Sequence, residues 1–298
     1  MGRLKGRVVL VTGSGRGFGR SMAVAYGREE ASVISVARST SELDGTAELI
    51  RSHGGEVLTV PTDLASVEEI FSLRDRVLGA YGRLDVLVNN AATSPWKTVE
   101  EMTVADWDRT MAVNLRAPFL LSKAFLEAMG AQGGGSIINV SSKSAEMGFV
   151  AEAAYCPSKY GLEGLTQCLA LELKPHNVAV NSLNVSAPEG RRLKPTELTL
   201  AEAEKMPREI RESYADDESM ADAFADAWVF LALQDGDGVT GQRFITLALA
   251  EELGRDGWEA VVARRRGKLI KAVYESYEFP GSVRYQTPDG GWRELKFR

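Results

Sequence analysis

The sequence contains few residues of the two types that carry most redox and metal chemistry in proteins. Among 298 residues there are two cysteines, Cys156 and Cys168, and two histidines, His53 and His176. The cysteines lie in one predicted helix, so about 18 Å separates them and a disulfide is excluded. Two distant histidines and two such cysteines form no recognisable metal site. We therefore expect a reduced, cytoplasmic protein without a metal.

Long apolar runs and an excess of positive charge are absent as well. No run approaches the ~18 residues of a membrane-spanning helix, and the formal net charge is -6. An acidic chain offers no broad basic surface to nucleic acid or to anionic lipid. The densest basic run, residues 264–266, is typical of a solvated helix face. The sequence therefore predicts neither a nucleic-acid partner nor a membrane partner.

The chain does have a regular alternation of short β-branched runs with longer helical ones. This pattern is typical of a parallel sheet that helices cover on both faces. With 44% hydrophobic residues, the chain can bury a full core. We predict an α/β fold of the Rossmann type, with a doubly wound parallel sheet of about seven strands. The predicted strands lie near residues 7–12, 32–37, 56–60, 84–89, 135–141, 177–183 and 243–247.

Two segments interrupt this alternation. Residues 186–220 are polar and charged and contain three prolines, a composition that favours a substrate lid over the sheet edge rather than a core helix. Residues 251–298 form a C-terminal extension that is too rich in aromatic residues for a disordered tail. We expect it to hold a helix followed by a hairpin around residues 288–291. The extension would then follow a main domain of residues 1–250.

A glycine-rich turn follows the first predicted strand and precedes a predicted helix. It reads Thr12-Gly13-Ser14-Gly15-Arg16-Gly17-Phe18-Gly19. Strand, glycine turn and helix together bind phosphate, because backbone N–H groups and the helix N-terminus face the anion. A nucleoside-triphosphate P-loop is excluded, since Ser14 replaces its first glycine and Arg20 its lysine. The GxGxxG fingerprint also fails, whereas the pattern TGxxxGxG fits.

Further motifs follow in order along the chain. The run Asn89-Asn90-Ala91-Ala92 ends the fourth predicted strand, and Asn114 lies between them and Ser142. Ser142 precedes Tyr155 by 13 residues, and Tyr155 and Lys159 form a Tyr-x-x-x-Lys motif. A lone Tyr-x-x-x-Lys pair is typical of a helix surface. The ordered set, over about residues 5–247, resembles the short-chain dehydrogenase/reductase family.

This resemblance implies an oxidoreductase that moves a hydride between a nicotinamide cofactor and a ketone or secondary alcohol. It implies that Tyr155 is the general acid/base, that Lys159 bonds the nicotinamide ribose, and that Asn114 holds a water in the proton relay. Ser142 would bond the substrate oxygen. Residues 1–250 would then be a dinucleotide-binding catalytic domain, and the family leads us to expect a homotetramer or homodimer.

The proposed chemistry needs a tyrosine that is more acidic than a free phenol of pKa ~10. Lys159 lies one helical turn from Tyr155, on the same face. Two unit charges ~4 Å apart interact by about 4 kcal/mol at an effective dielectric of 20, or roughly three pKa units. Strand alternation turns adjacent serines to opposite faces, and the spacing to Tyr155 selects Ser142 over Ser141. A Ser/His/Asp hydrolase is disfavoured, because both histidines fall in predicted helix-to-strand connections.

The end of the second predicted strand indicates which cofactor binds. An NAD-binding site has a carboxylate there for the adenosine ribose, but this chain has Ala37 followed by Arg38. Arg16 and Arg38 together favour the 2′-phosphate of NADP, since two guanidinium groups would otherwise repel each other. We predict NADP(H), with NAD the less favoured cofactor. The predicted cofactor-binding residues are Thr12, Gly13, Ser14, Gly15, Arg16, Gly17, Phe18, Gly19, Arg38, Ser39, Asp63, Leu64, Asn90, Ala91, Tyr155, Lys159 and Pro188.

The chain departs from the family pattern after the sixth predicted strand, where members usually place Pro-Gly beside the nicotinamide amide. Either Val185 and Ser186 replace that pair, or Pro188 acts two residues late. Two alternatives to an NADP enzyme therefore stay open. One is a cofactor-binding sensor or scaffold without turnover, and the other is an NAD-linked alcohol dehydrogenase.

Overall fold

The computed structural model describes residues 2–191, 212–270, 282–286 and 291–296. Most of the predicted lid, residues 192–211, lies outside the described residues. So do residues 287–290, at the predicted hairpin turn.

The main sheet has seven parallel strands, as the alternating pattern predicted. They are β1 (Val8–Thr12), β2 (Ser32–Ala37), β3 (Glu56–Pro61), β4 (Val86–Asn89), β5 (Gly135–Ser141), β6 (Val178–Asn184) and β7 (Arg243–Ile245). Their order is β3-β2-β1-β4-β5-β6-β7. This confirms the doubly wound fold. Strand β7 is shorter than predicted, because a helix begins at Thr246.

The described helices mostly alternate with the strands. They are α1 (Gly17–Arg28), α2 (Thr40–Ser52), α3 (Val67–Tyr81), α4 (Val104–Met111), α5 (Ala117–Ala131), α6 (Tyr155–Glu172), α7 (Asp217–Ala232), α8 (Thr246–Asp256) and α9 (Trp258–Arg265). A π-helical turn, Ala112–Arg116, joins α4 to α5. Side chains of Ser39, Ser66, Thr103 and Asp216 cap the helices that follow them, each accepting a hydrogen bond from a free N–H of the first turn.

Two hydrophobic cores lie on opposite faces of the sheet, because successive strand residues point to opposite sides. In β1, Val9 and Val11 pack with α1, α7 and α8 on one face. Val8 and Leu10 pack with α3, α5 and α6 on the other. Burial on both faces explains why the strands read as continuous apolar runs rather than as alternating ones.

The strand order reverses between β1 and β4, which lie side by side at the centre of the sheet. The chain leaves β1 toward a helix on one face and leaves β4 toward elements on the other. The connections therefore diverge and open a crevice at the carboxyl ends of these two strands, where ligands bind in folds of this class. The glycine turn and Asn90 follow these two strand ends.

The C-terminal end of the predicted lid packs into the hydrophobic core. Residues 217–220 open α7, where Asp216 caps the helix and Met220 is buried. Met220 and Phe224, one turn apart, pack into the core beside α1. The start of this core helix was interpreted as part of a polar loop, because the charged residues Asp217 and Glu218 are typical of a helix N-terminus as well as of a loop.

The C-terminal extension contains two short helices and a pair of strands. The predicted domain boundary at residue 250 lies within α8. Arg264 and Arg265, in α9, form ion pairs with Glu252 of α8. Strands β8 (Ser282–Gln286) and β9 (Trp292–Lys296) pair in antiparallel fashion. Arg293 of β9 also contacts Glu101 at 3.1 Å.

The two cysteines and two histidines of the sequence lie in or next to helices. Cys156 and Cys168 both lie in α6 and are free thiols. His53 ends α2, and His176 lies in a short turn before β6. Within the described ranges no helix is both long and apolar enough to cross a membrane.

Candidate active site

A cavity of about 580 Å³ lies at the carboxyl ends of the central strands. Its size is in the range of small-molecule and cofactor sites. Most of the residues predicted to bind the cofactor line it together, although they come from distant parts of the chain. Those lining the cavity are Gly13, Gly15, Arg16, Gly17, Phe18, Gly19, Arg38, Ser39, Asp63, Leu64, Asn90, Ala91, Tyr155 and Lys159.

Five predicted site residues are not in this lining: Thr12, Ser14, Asn114, Ser142 and Pro188. The hydroxyl of Thr12 donates to the carbonyl of Val88 and accepts from the N–H groups of Asn90 and Ala91. The hydroxyl of Ser14 also forms hydrogen bonds within the protein, with the hydroxyl of Ser35 and with the N–H of Val36. These two side chains hold the glycine turn against β2 and against the loop after β4.

The glycine turn packs against the loop after β4 too closely for side chains. A methyl group on Gly13 would lie 2.8 Å from the Cα of Ala91. A methyl group on Gly19 would overlap the Asn90 amide and the carbonyl of Gly13. Gly13 and Gly17 also have positive φ angles of 66° and 57°, which favour glycine. The turn therefore brings bare backbone to the cavity at the N-terminus of α1.

Tyr155 and Lys159 lie in the first turns of α6. Lys159 is only 2% exposed, and its Nζ donates to the carbonyl of Val140 at 2.8 Å. The same Nζ lies 5.5 Å from the centre of the Tyr155 ring. Burial lowers the pKa of Lys159 to about 8, while the negative charge of Glu163 acts to raise it. The pair thus places a titrating amine beside a phenol in the cavity wall.

Ser142 follows β5 and takes part in a chain of hydrogen bonds. Its hydroxyl donates to Ser144 Oγ at 3.2 Å, and Ser144 donates in turn to Glu152 Oε2 at 2.6 Å. Ser141, rather than Ser142, lines the cavity. The Ser141 hydroxyl is buried and has no hydrogen-bond partner in the described part of the chain. The spacing argument selected Ser142, which directly follows Ser141 in the chain but is not part of the lining.

Asn114 lies in the π-helical turn and is buried. Its Nδ2 donates to the carbonyl of Thr93 and to Ser158 Oγ, both at 3.0 Å. Its Oδ1 accepts from the N–H of Thr93 at 2.8 Å. Asn114 therefore joins the loop after β4 to helix α6, which carries Tyr155. π-helical turns recur at functional sites, because the extra residue redirects side chains.

Charged side chains crowd the end of the cavity near β2 and β3. Arg16 pairs with Glu42 at 2.9 Å, and Arg109 pairs with Asp63 at 3.2 Å. Burial raises the pKa of Asp63, but the N–H of Ala65 and the positive charge of Arg109 lower it below its usual value. Arg38 acts on Asp63 in the same direction. The guanidinium groups expected to repel each other are therefore balanced by carboxylates.

Sequence reasoning missed several residues that line the cavity. They are Ala37, Glu42, Thr62, Ala92, Thr93, Arg109, Val113, Val140, Ser141, Ala215, Asp217 and Met220. Several lie at or directly after the end of a strand, and that position could have indicated them. Glu42, Arg109 and Met220 project from helices, and no local pattern marks them. Val185 lines the cavity whereas Pro188 does not, which favours the first of the two readings of that segment.

Comparisons with known proteins agree over most of the chain. The family model described as short chain dehydrogenase matches residues 7–194. An uncharacterized oxidoreductase of Thermotoga maritima is 41% identical over 179 residues, which are 60% of this chain and 70% of the relative. L-xylulose reductase of Bos taurus is 39% identical over 183 residues, which are 61% of this chain and 72% of the relative.

A solved structure extends the similarity beyond the aligned segment. The crystal structure of a metagenomic short-chain oxidoreductase in complex with NADP is 32% identical to this chain, with a TM-score of 0.67. The similarity covers 81% of this chain and 97% of that protein. The similarity thus includes nearly the whole of the solved protein.

Proposed function

The chain belongs to the short-chain dehydrogenase family, a family of oxidoreductases, and from that premise we propose that it transfers a hydride between NADPH and a ketone or secondary alcohol. One observation carries this proposal: Tyr155 and the buried Lys159 line the same cavity as the glycine turn. Cofactor binding alone would not require an acid-base pair at that place.

The residues present fit a nicotinamide dinucleotide. The glycine turn presents bare backbone to the cavity, since packing against the loop after β4 leaves Gly13 and Gly19 no room for a side chain, and it lies at a helix N-terminus that favours phosphate. Arg16 and Arg38 lie at one end of the cavity, where the extra phosphate of NADP would bind, and Tyr155 with Lys159 at another wall. When bound, the nicotinamide supplies or accepts the hydride.

In this proposal the protein's own residues handle the proton. Tyr155 donates a proton to the substrate oxygen when a ketone is reduced, and it takes the proton back when an alcohol is oxidised. The Lys159 ammonium favours the phenolate form of Tyr155 by charge. Ser142 turns its hydroxyl from Ser144 to the substrate oxygen and stabilises the charge that develops there. Asn114 keeps the loop after β4 and helix α6 in fixed relative positions. It thereby keeps the groups of the proton relay in place.

The names of the relatives suggest where to look for the substrate. L-xylulose reductase acts on a sugar, as its name states, and the Ser141 hydroxyl, which lines the cavity and has no hydrogen-bond partner in the described part of the chain, gives this edge of the cavity a polar character. We therefore propose small polyhydroxylated ketones and alcohols as the first compounds of a substrate panel, followed by apolar ketones and acyl thioesters.

The proposal is tested by the substitution Tyr155→Phe, with Tyr160→Phe on the same helix as a matched control. Loss of a general acid-base group should lower kcat about 10³-fold, while the Kd of NADPH stays near that of the parent. Tyr160 is not in the cavity lining, so its variant should retain activity. The measurements are NADPH oxidation over the substrate panel and calorimetric titration of NADPH.

The outcomes separate enzyme from scaffold. Binding of NADPH without oxidation on any compound of the panel would favour a sensor or scaffold, which the altered segment at Val185 supports most. Failure of the parent to bind either NADPH or NADH would remove the proposed function altogether. Tighter binding of NADH than of NADPH would favour the NAD-linked alternative.

A further inference from the structure

The end of the cavity near β2 contains an acidic side chain, Glu42, that no sequence motif predicted there. Glu42 lies in the first turn of α2, five residues after Ala37. A methyl group built on Gly15 would lie 3.0 Å from Glu42 Oε2 and 3.2 Å from the Cβ of Ala37. The Glu42 carboxylate thus occupies space beside Ala37, at the strand end where an NAD site carries its carboxylate.

The backbone of Glu42 is held firmly in this place. Its N–H donates to the hydroxyl of Ser39, which caps α2. Its carbonyl accepts from Arg20 Nη2 at 3.1 Å and from Thr46 Oγ1 at 3.0 Å. Thr46 also donates to the carbonyl of Ser14 in the glycine turn. Helix α2 and the turn are therefore joined, and the backbone of Glu42 is held beside the cavity that its side chain lines.

The Glu42 carboxylate forms an ion pair with Arg16. The pair is 2.9 Å long, and its side chains are only 26% and 19% exposed. A phosphate dianion that recruits Arg16 must compete with this carboxylate and also meets its negative charge. A ribose hydroxyl makes the opposite demand, because a carboxylate accepts its hydrogen bond.

We propose that Glu42 supplies the carboxylate that Ala37 lacks and thereby sets the selectivity of the pocket between NADPH and NADH. Glu42 disfavours the phosphorylated cofactor by holding Arg16 and favours the unphosphorylated one by accepting from its ribose hydroxyl. Arg16 has the reverse effect. The inference rests on the proposed function, in that the cavity must bind a nicotinamide dinucleotide.

The test measures the Kd of NADPH and of NADH by calorimetry for the parent protein and for Glu42→Gln. The variant removes a competing charge and weakens an acceptor, so NADPH should bind more tightly and NADH more weakly. The Kd of each cofactor should change by about fivefold in opposite directions, so the ratio of the two Kd values should change by about thirtyfold. Glu48→Gln, an exposed position on the same helix, is the matched control and should leave the ratio unchanged.

A second variant tests Arg16, the other member of the ion pair. Arg16→Gln should weaken NADPH binding by about tenfold and leave NADH binding unchanged or tighter. If Glu42 acts through Arg16, then Glu42→Gln should lose most of its effect on NADPH in the Arg16→Gln background, since residues in one ion pair are not additive.

The results distinguish the inference from the function on which it rests. A ratio of Kd values that Glu42→Gln leaves unchanged, in a parent that binds NADPH or NADH, overturns the role of Glu42 and leaves the proposed function standing. A parent that binds neither cofactor overturns both. A shift in both cofactors by the same factor would also contradict the inference, because it indicates a general effect of charge or packing.

Discussion

At the scale of single residues, Lys159 shows how burial prepares a side chain for chemistry. The amine donates a hydrogen bond to the carbonyl of Val140 and has almost no contact with solvent. Desolvation disfavours its charged form and lowers its pKa to about 8, although the charge of Glu163 opposes this. A lysine that titrates there can exchange a proton near neutral pH, which an exposed lysine of pKa ~10.4 cannot do readily.

We expect this desolvation to appear in the pH dependence of stability. The folded-state pKa of about 8 lies below the ordinary value of 10.5, so between these values the unfolded chain binds more protons and the free energy of unfolding rises with pH. Lys159→Met removes that rise. The stability of the variant relative to the parent should therefore fall by about 3 kcal/mol between pH 7 and pH 10.5.

Urea unfolding at a series of pH values measures this difference. The exposed Lys143 provides the control, because Lys143→Met should follow the parent at every pH. A difference between parent and Lys159→Met that stays constant with pH would contradict the lowered pKa of Lys159.

At the scale of elements, the turn between β1 and α1 fits against the loop after β4. Asn90 Nδ2 donates to the carbonyls of Thr12 and Gly13, at 2.8 and 3.2 Å. The backbone N–H of Asn90 donates to the Thr12 hydroxyl. Two loops that lead to opposite faces of the sheet are thus joined across the crevice, and these contacts determine the position of the glycine turn at the cavity.

The contacts between these two loops predict that two glycines differ in how much a substitution by alanine changes stability. Gly19→Ala should destabilise the fold by about 2 kcal/mol or more, because its methyl group would displace Asn90 or the carbonyl of Gly13. It should also weaken NADPH binding. Gly79→Ala, at an exposed position in α3 with open space around it, should instead stabilise by about 0.5 kcal/mol. Thermal unfolding and NADPH titration of both variants test this, and equal stability of the two would contradict the close packing of the turn.

At the scale of the whole molecule, Asp85 ties the amino ends of three central strands together, opposite the cavity. Its carboxylate accepts from the N–H of Val8, from Arg7 and from Arg83. Its backbone N–H donates to the carbonyl of Val8, and its backbone carbonyl accepts from the N–H of Ser136. Burial raises the pKa of Asp85, but the Arg83 guanidinium and the Val8 N–H lower it below its usual value overall.

Asp85→Asn should lower the free energy of unfolding by about 2 to 3 kcal/mol at pH 7, since hydrogen bonds to a charged group are lost. The advantage of the parent is present above the unfolded pKa of about 3.9 and is lost as pH falls through the lowered folded value. The difference should therefore shrink at pH 3. Denaturant unfolding at pH 7 and pH 3 measures it. The exposed Asp75 gives the control, because Asp75→Asn should have little effect at either pH.

Much of the fold and part of the site could be predicted from local pattern. Strands β1 to β6 lie within two residues of their predicted ends, because a run of β-branched residues between turns is a local signal. The glycine turn, Asn90, Asp63 and Tyr155 follow directly after strands or open a helix. Parallel strands bring such positions to one edge of the sheet, so their grouping in one cavity was predictable as well.

The sequence by itself determined the family, the sheet and the positions that follow its strands, since these depend on period, turn chemistry and the order of motifs. Only the tertiary structure decided that Glu42 faces Arg16, that Arg109 reaches Asp63, that Val185 rather than Pro188 lines the cavity, and that the predicted lid ends in a core helix. These contacts depend on how each helix packs and rotates against the sheet. Side chains distant in sequence set that packing, and no local pattern records it.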